Sequence, residues 1–115
     1  MDVVSPGKRT HKSASLRVAI AESLPVEFWE RTREIVAVQS TDQGRGEATA
    51  LLWKTCREAD EAELALIVKP EPFASGLSMV QLLKFYSKFR FVPIQQQPCV
   101  LLARRPERVV RIAHG

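Results

Sequence analysis

Apolar residues recur along this chain first at every second position and then at every third or fourth, and the exchange of those two periods lays out its elements. Leu16-Arg17-Val18-Ala19-Ile20 alternates as a half-buried strand does. Pro25 is placed to open a helix, and Phe28, Trp29, Thr32 and Ile35 follow at helical spacing. Ile35-Val36-Ala37-Val38 either continues that helix or forms a strand, and propensity leaves both open. Ala48, Leu51, Leu52, Cys56 and Ala59 share one helical face, with Glu47, Lys54, Arg57, Glu58 and Glu61 mostly elsewhere and Trp53 flanking the stripe. Leu64 to Val68 reads as a buried strand that Pro70 and Pro72 end. Ser78-Met79-Val80-Gln81 has the form of a capping box, opening a helix over Met79–Phe89 that buries Leu82, Leu83 and either Tyr86 or Phe85. Phe91–Ile94 and Cys99–Ala103 make two closing strands around a Gln-Gln-Gln-Pro turn. The pattern is α+β, a mixed sheet with helices on its faces.

One stretch carries candidate chemistry. Gln43-Gly44-Arg45-Gly46-Glu47-Ala48-Thr49 opens the first clear amphipathic helix. Two glycines let the backbone turn tightly and let a ligand approach without meeting a Cβ. The helix behind them begins with amides that lack intrahelical partners, and its dipole favours negative charge there. A glycine turn feeding a helix start is therefore a phosphate cradle. Its spacing excludes two familiar kinds: Thr49 stands where a dinucleotide-binding turn needs its third glycine, and no lysine follows Gly46 as a P-loop requires.

What the spacing does meet is Gln/Arg-x-x-Gly-x-Gly/Ala, through Gln43, Gly46 and Ala48. This resembles the acetyl-CoA pyrophosphate loop of GNAT-type N-acetyltransferases. Leu82 to Phe91 is similar to the family's other signature, a helix ending in Tyr-x-Lys-x-Gly-Phe, and Cys99 to Arg105 to its last strand, which ends near an arginine. The order of loop, helix, strand, tyrosine helix, strand, turn and strand also matches, over roughly residues 34–105. The resemblance implies an N-terminally shortened GNAT-like domain over residues 16–105, with a mostly antiparallel sheet; by composition, residues 1–15, rich in Ser, Lys and Thr, read as a mobile basic segment and residues 106–115 as a basic tail.

It further implies transfer of an acetyl group from acetyl-CoA to an amine. The amides of Gly44 to Thr49, with Gln43 and Arg45 in the loop, would hold the pyrophosphate. The backbone around Val38, on a strand the family requires there, would align the thioester. Tyr86 would be the general acid for the leaving thiolate, and Glu34 is a candidate base by position alone. The chain departs from the family in two ways. Met79 and Arg90 replace an asparagine and a glycine, the latter at a turn unsuited to a bulky cation. The thirty-odd residues before the loop-leading strand have room for one strand and one helix, whereas the family's usual five elements need ~60 residues. The acceptor-side wall would then be absent or come from a second subunit, hence a possible homodimer.

Composition changes little of this. With 115 residues, 45% of them hydrophobic, the chain is long enough to bury over ~60% of its unfolded surface as one domain. The net charge of +4 is uneven: residues 1–15 and 104–115 carry seven Lys/Arg against two Asp/Glu, and the middle ten against eleven. Lys8, Arg9, Lys12, Arg104, Arg105, Arg108 and Arg111 could contact phosphates, so the alternative reading is an inactive GNAT-fold module whose basic tails touch nucleic acid or a protein. Cys56 and Cys99 fit small buried hydrophobes. His11 and His114 have no ligand spacing with either, which argues against a metal site and a Cys-His or Ser-His-Asp nucleophile. No apolar run is long enough for a membrane span and Arg17 interrupts the only leader-like segment, so a cytoplasmic location is expected.

Overall fold

A computed structural model describes residues 6–11, 14–40, 46–71 and 77–107. In chain order these form β1 (Gly7–His11), β2 (Ala14–Ile20), a single 3-10 turn (Val26–Phe28), β3 (Thr32–Ser40), α1 (Glu47–Glu61), β4 (Ala65–Val68), α2 (Met79–Ser87), β5 (Val92–Gln95) and β6 (Leu101–Arg104). The strands make one sheet in the order β1-β2-β3-β4-β6-β5. Only β3 and β4 run parallel, as the α1 crossover between them requires; every other pair is antiparallel.

Alternation along the strands sends Leu16, Val18, Ile35, Leu66, Val68 and Leu102 to one face. There they meet Leu51, Leu52, Cys56 and Ala59 of α1 and Leu82 and Tyr86 of α2 in a single core cluster. The α1 stripe lies inward as its spacing predicts. Trp53 stays at the edge, 43% exposed, with its ring 4.7 Å from that of Phe89. The Ser78 capping box forms with both of its reciprocal bonds: the Gln81 amide donates to Ser78 Oγ, and the Ser78 amide donates to Gln81 Oε1.

Three expectations need correction. The helix expected from Pro25 is only the 3-10 turn, which buries no residue. Thr32 and Ile35 belong instead to β3, whose backbone groups are taken by ladders to β2 and β4, and β-branched Ile35, Val36 and Val38 suit that strand. The segment expected to be mobile contains β1 and the start of β2, so the sheet begins near Gly7 and not at residue 16. The sequence hides β1 because its inward position is a cation. Arg9 is buried against α1, its Nε 3.6 Å from Glu58 Oε2. Two cations assigned to the basic tails, Arg9 and Arg104, are thereby core residues, and the chain is anchored as far as Glu107, whose amide donates to Asp60 Oδ1 at 2.8 Å.

No helix among the described residues is long and apolar enough to cross a membrane. Both cysteines are free thiols. Burial pushes the Cys56 thiol up to about 12, partly offset by the Arg104 charge, so it stays protonated and packs as a hydrophobe.

Candidate functional site

The site lies where β3 outruns its parallel partner. The β3–β4 ladder begins at Thr32↔Ala65 and ends at Ile35↔Val68, where β4 itself stops, two residues before Pro70. β3 continues to Ser40. From Val36 onward its β4-side edge has no ladder partner among the described residues, leaving backbone donors and acceptors for something else to satisfy. The same stretch holds a β-bulge. Ser15 opposes Gln39 and Arg17 opposes Val36, so Ala37 and Val38 together face Leu16, with Ala37 in the left-handed region at φ 54°. A non-glycine residue there is strained, and such strain tends to collect at binding and catalytic sites.

The helix that follows supplies the second half. Gly46 is the N-cap of α1 at φ 78°, a conformation that favours glycine, and a Cβ there would meet nothing within 4 Å. Among the described residues no side chain caps the helix, and its first backbone bond runs from the Ala50 amide to the Gly46 carbonyl. The amides of Glu47, Ala48 and Thr49 thus open the helix without an intrahelical acceptor. In the same turn Glu47 Oε2 is buried and has no hydrogen-bond partner among the described residues. Gln43, Gly44 and Arg45 lie outside the described residues.

Tyr86 belongs to the core cluster, and Val38 and Ala48 pack against that cluster. The structure therefore brings the bulge, the first turn of α1 and the tyrosine around one core. Tyr86 is only 4% exposed, its ring edge-on to Phe85 at 5.3 Å and to Phe91 at 5.6 Å. Burial pushes its phenol up to about 12, so the oxygen keeps its proton through the physiological range. Among the described residues its hydroxyl meets no hydrogen-bond partner.

Glu34 is placed differently. It alternates with Ile35 and so faces away from the helices, 9% exposed. Its carboxylate accepts from the Ser23 amide at 3.2 Å and from the Ser23 hydroxyl at 3.0 Å, which ties down the turn before the 3-10 segment. Sequence reasoning also missed a buried pair, Asp60 and Arg104. Those partners stand 44 residues apart, and the only hint was a cation closing an apolar strand.

This arrangement can be compared with known proteins. A sheet in which an α1 crossover separates two parallel strands, followed by a tyrosine helix and an antiparallel pair, superposes on solved chains over most of its length. The anti-CRISPR protein AcrVA5 matches 87% of this chain and 98% of its own, with a TM-score of 0.69 and 19% identity. An N-acetyltransferase from Staphylococcus aureus Mu50 matches 82% of this chain at a TM-score of 0.61 and 15% identity. The fold is that of the GNAT acetyltransferases. A further GNAT-fold match is yncA from Salmonella typhimurium, solved with its cofactor acetyl-CoA, over 83% of this chain at 0.60 and 10% identity. The chain spans 61% and 58% of the length of these last two proteins. No known protein family matches it by sequence, and no curated protein does.

Against that fold, the Arg90 departure finds its explanation. Arg90 occupies the left-handed region at φ 71°, so the glycine-type turn forms despite the side chain.

Proposed function

We propose that the chain is an acetyl-CoA-dependent N-acetyltransferase acting on an amine. The observation that carries this is the end of β3, where a bulged strand edge without a ladder partner among the described residues runs toward a glycine-capped helix whose first amides have no intrahelical acceptor. Those two features suit the two parts of one ligand. The open edge from Val36 to Ser40 offers peptide groups to an extended arm that itself contains amides. The amides of Gly46 to Thr49 offer a positive dipole end to a pyrophosphate, with Gln43, Gly44 and Arg45 completing the loop. Bound there, acetyl-CoA supplies an acyl group activated as a thioester.

The chain's own residues then divide the remaining work. The backbone around Val38, turned by the bulge, orients the acyl carbonyl. Tyr86 holds a proton at its phenol oxygen and donates a hydrogen bond to the departing sulfur. An ordinary thiol has a pKa of about 8.5, well below that of Tyr86, so the phenol stabilises the thiolate by donation and not by complete transfer. Glu34, satisfied by Ser23 and facing the other side of the sheet, is not assigned as the base; water serves that role.

Calorimetric titration with acetyl-CoA tests the reading. A ligand held only by the native state adds ~2.7 kcal/mol of stability at a hundred times its dissociation constant. Gly46→Val should abolish the heat and the thermal shift, because a β-branched residue resists φ 78° and the turn that presents the amides would have to change. Tyr86→Phe should bind as the wild type does and release thiol more slowly. Equal affinity in the Gly46 variant would remove the phosphate-loop assignment.

A second reading concerns setting more than chemistry. The match to the anti-CRISPR protein AcrVA5 covers 98% of that chain, and on that likeness we infer inhibition of CRISPR interference as a second role. Phage or plasmid survival in cells carrying an active CRISPR system, with and without this chain, decides it.

A further inference from the structure

The end of α2 is held with unusual redundancy. The Arg90 amide donates to the Ser87 carbonyl at 3.0 Å and the Phe91 amide to the Tyr86 carbonyl at 3.4 Å, the paired bonds of a Schellman ending. Its customary apolar contact is the Tyr86–Phe91 ring pair. The carbonyl of Phe89, inside this turn, accepts from Arg104 Nε at 2.7 Å. Arg104 is 2% exposed, and its two outer nitrogens donate to Asp60 Oδ1 at 2.7 Å and Oδ2 at 3.0 Å. The Glu107 amide donates to the same Oδ1.

From these contacts we infer that Asp60 and Arg104 are positioning residues for Tyr86. They lock the Phe89 carbonyl to α1 and β6, and so fix the turn from which Tyr86 is held. The inference rests on the reading of Tyr86 as the hydrogen-bond donor to the leaving sulfur. A buried ion pair costs much of its attraction in desolvation, and well-packed apolar residues often stabilise as well. What an apolar pair lacks is the third bond. Only a planar guanidinium, oriented by both carboxylate oxygens, can present its Nε–H to one chosen carbonyl. Asp60 lies thirteen residues beyond the start of α1, or about 20 Å along the helix at 1.5 Å per residue, so it leaves the phosphate cradle untouched.

The chain offers an internal probe, since Tyr86 is its only tyrosine and its two tryptophans do not ionise, so the rise in absorbance near 295 nm on alkaline titration of the folded chain reports Tyr86. The experiment compares wild type with Asp60→Asn, Arg104→Lys and a control, Leu51→Ala, which opens a cavity in α1 without touching the clamp. Each is titrated with alkali while circular dichroism monitors folding, and each is assayed for acetyl-CoA affinity and for thiol release from acetyl-CoA to water. The expected result is that both clamp variants, still folded, ionise Tyr86 at least one pH unit earlier than wild type. They should bind acetyl-CoA within about twofold of wild type and release thiol roughly tenfold more slowly, a modest cost for displaced catalytic geometry. Leu51→Ala should lose stability without moving the tyrosine step. Folded clamp variants that ionise Tyr86 as wild type does would overturn the inference. Asparagine keeps the volume and can still accept hydrogen bonds, so it decides the matter if Arg104→Lys does not fold. If acetyl-CoA fails to bind the wild-type chain, the acetyltransferase reading falls while the titration still judges the clamp.

Discussion

Tyr86 and Cys56 hold their protons more tightly in the folded chain than in an unfolded one, through burial. The sign of the consequence is fixed. Each contributes stability that is fully present below its unfolded pKa, near 10 for the phenol and 9 for the thiol, and is lost as pH rises toward about 12. For the tyrosine alone the loss is on the order of 3 kcal/mol at 1.36 kcal/mol per pH unit. Urea denaturation at pH 8, 10 and 11 should show Tyr86→Phe losing less stability over that range than the wild type. Glu47 makes a second residue-scale prediction. Its carboxylate sits in the first turn of α1, where it complements the helix dipole but stands beside the proposed pyrophosphate. Two unit charges ~4 Å apart repel by about 1 kcal/mol even in water. Glu47→Gln should therefore tighten acetyl-CoA binding several-fold in calorimetry, and added salt should shrink the difference.

At the scale of elements, α1 and α2 end in the same way. The Glu63 amide donates to the Asp60 carbonyl and the Leu64 amide to the Ala59 carbonyl, with Glu63 at φ 56°. Arg90 holds the corresponding place after α2 at φ 71°. Glycine takes these angles without strain, whereas glutamate and arginine do not. Glu63→Gly should raise the stability of the chain by about 0.5–1 kcal/mol in chemical denaturation. Arg90→Gly should do the same, because the exposed Arg90–Glu107 ion pair it removes adds little. The capping box at Ser78 was legible in four letters because its partners are local. The Schellman turns were not, since their customary glycine is missing from both.

Across the whole molecule, β1 is joined to the body by a charge. Arg9 and Glu58 face each other with side chains 6% and 18% exposed, so the pair is partly desolvated. Arg9→Glu would set like charges together under the sheet edge and should cost about 3 kcal/mol or more by urea denaturation. A second change, Glu58→Arg, should recover part of that loss. Read as sequence, Gly7–His11 offers no apolar alternation, and only the docked helix shows why a strand belongs there.

The order of elements from β3 onward, the inward face of α1 and the glycine-headed helix start follow from the sequence, because each rests on local periodicity, capping or spacing. Tertiary structure decided the rest. Residues 35–38 fit helix and strand alike until two flanking strands claimed their backbone groups. The bulge at Ala37 and Val38 exists only relative to β2, so no property of those two residues announces it. Arg9 and Arg104 look like solvated tail charges because their carboxylate partners, Glu58 and Asp60, are distant in sequence. Local energies write themselves into neighbouring residues, but a ladder, a bulge or a buried ion pair is settled by whichever distant segment arrives beside it.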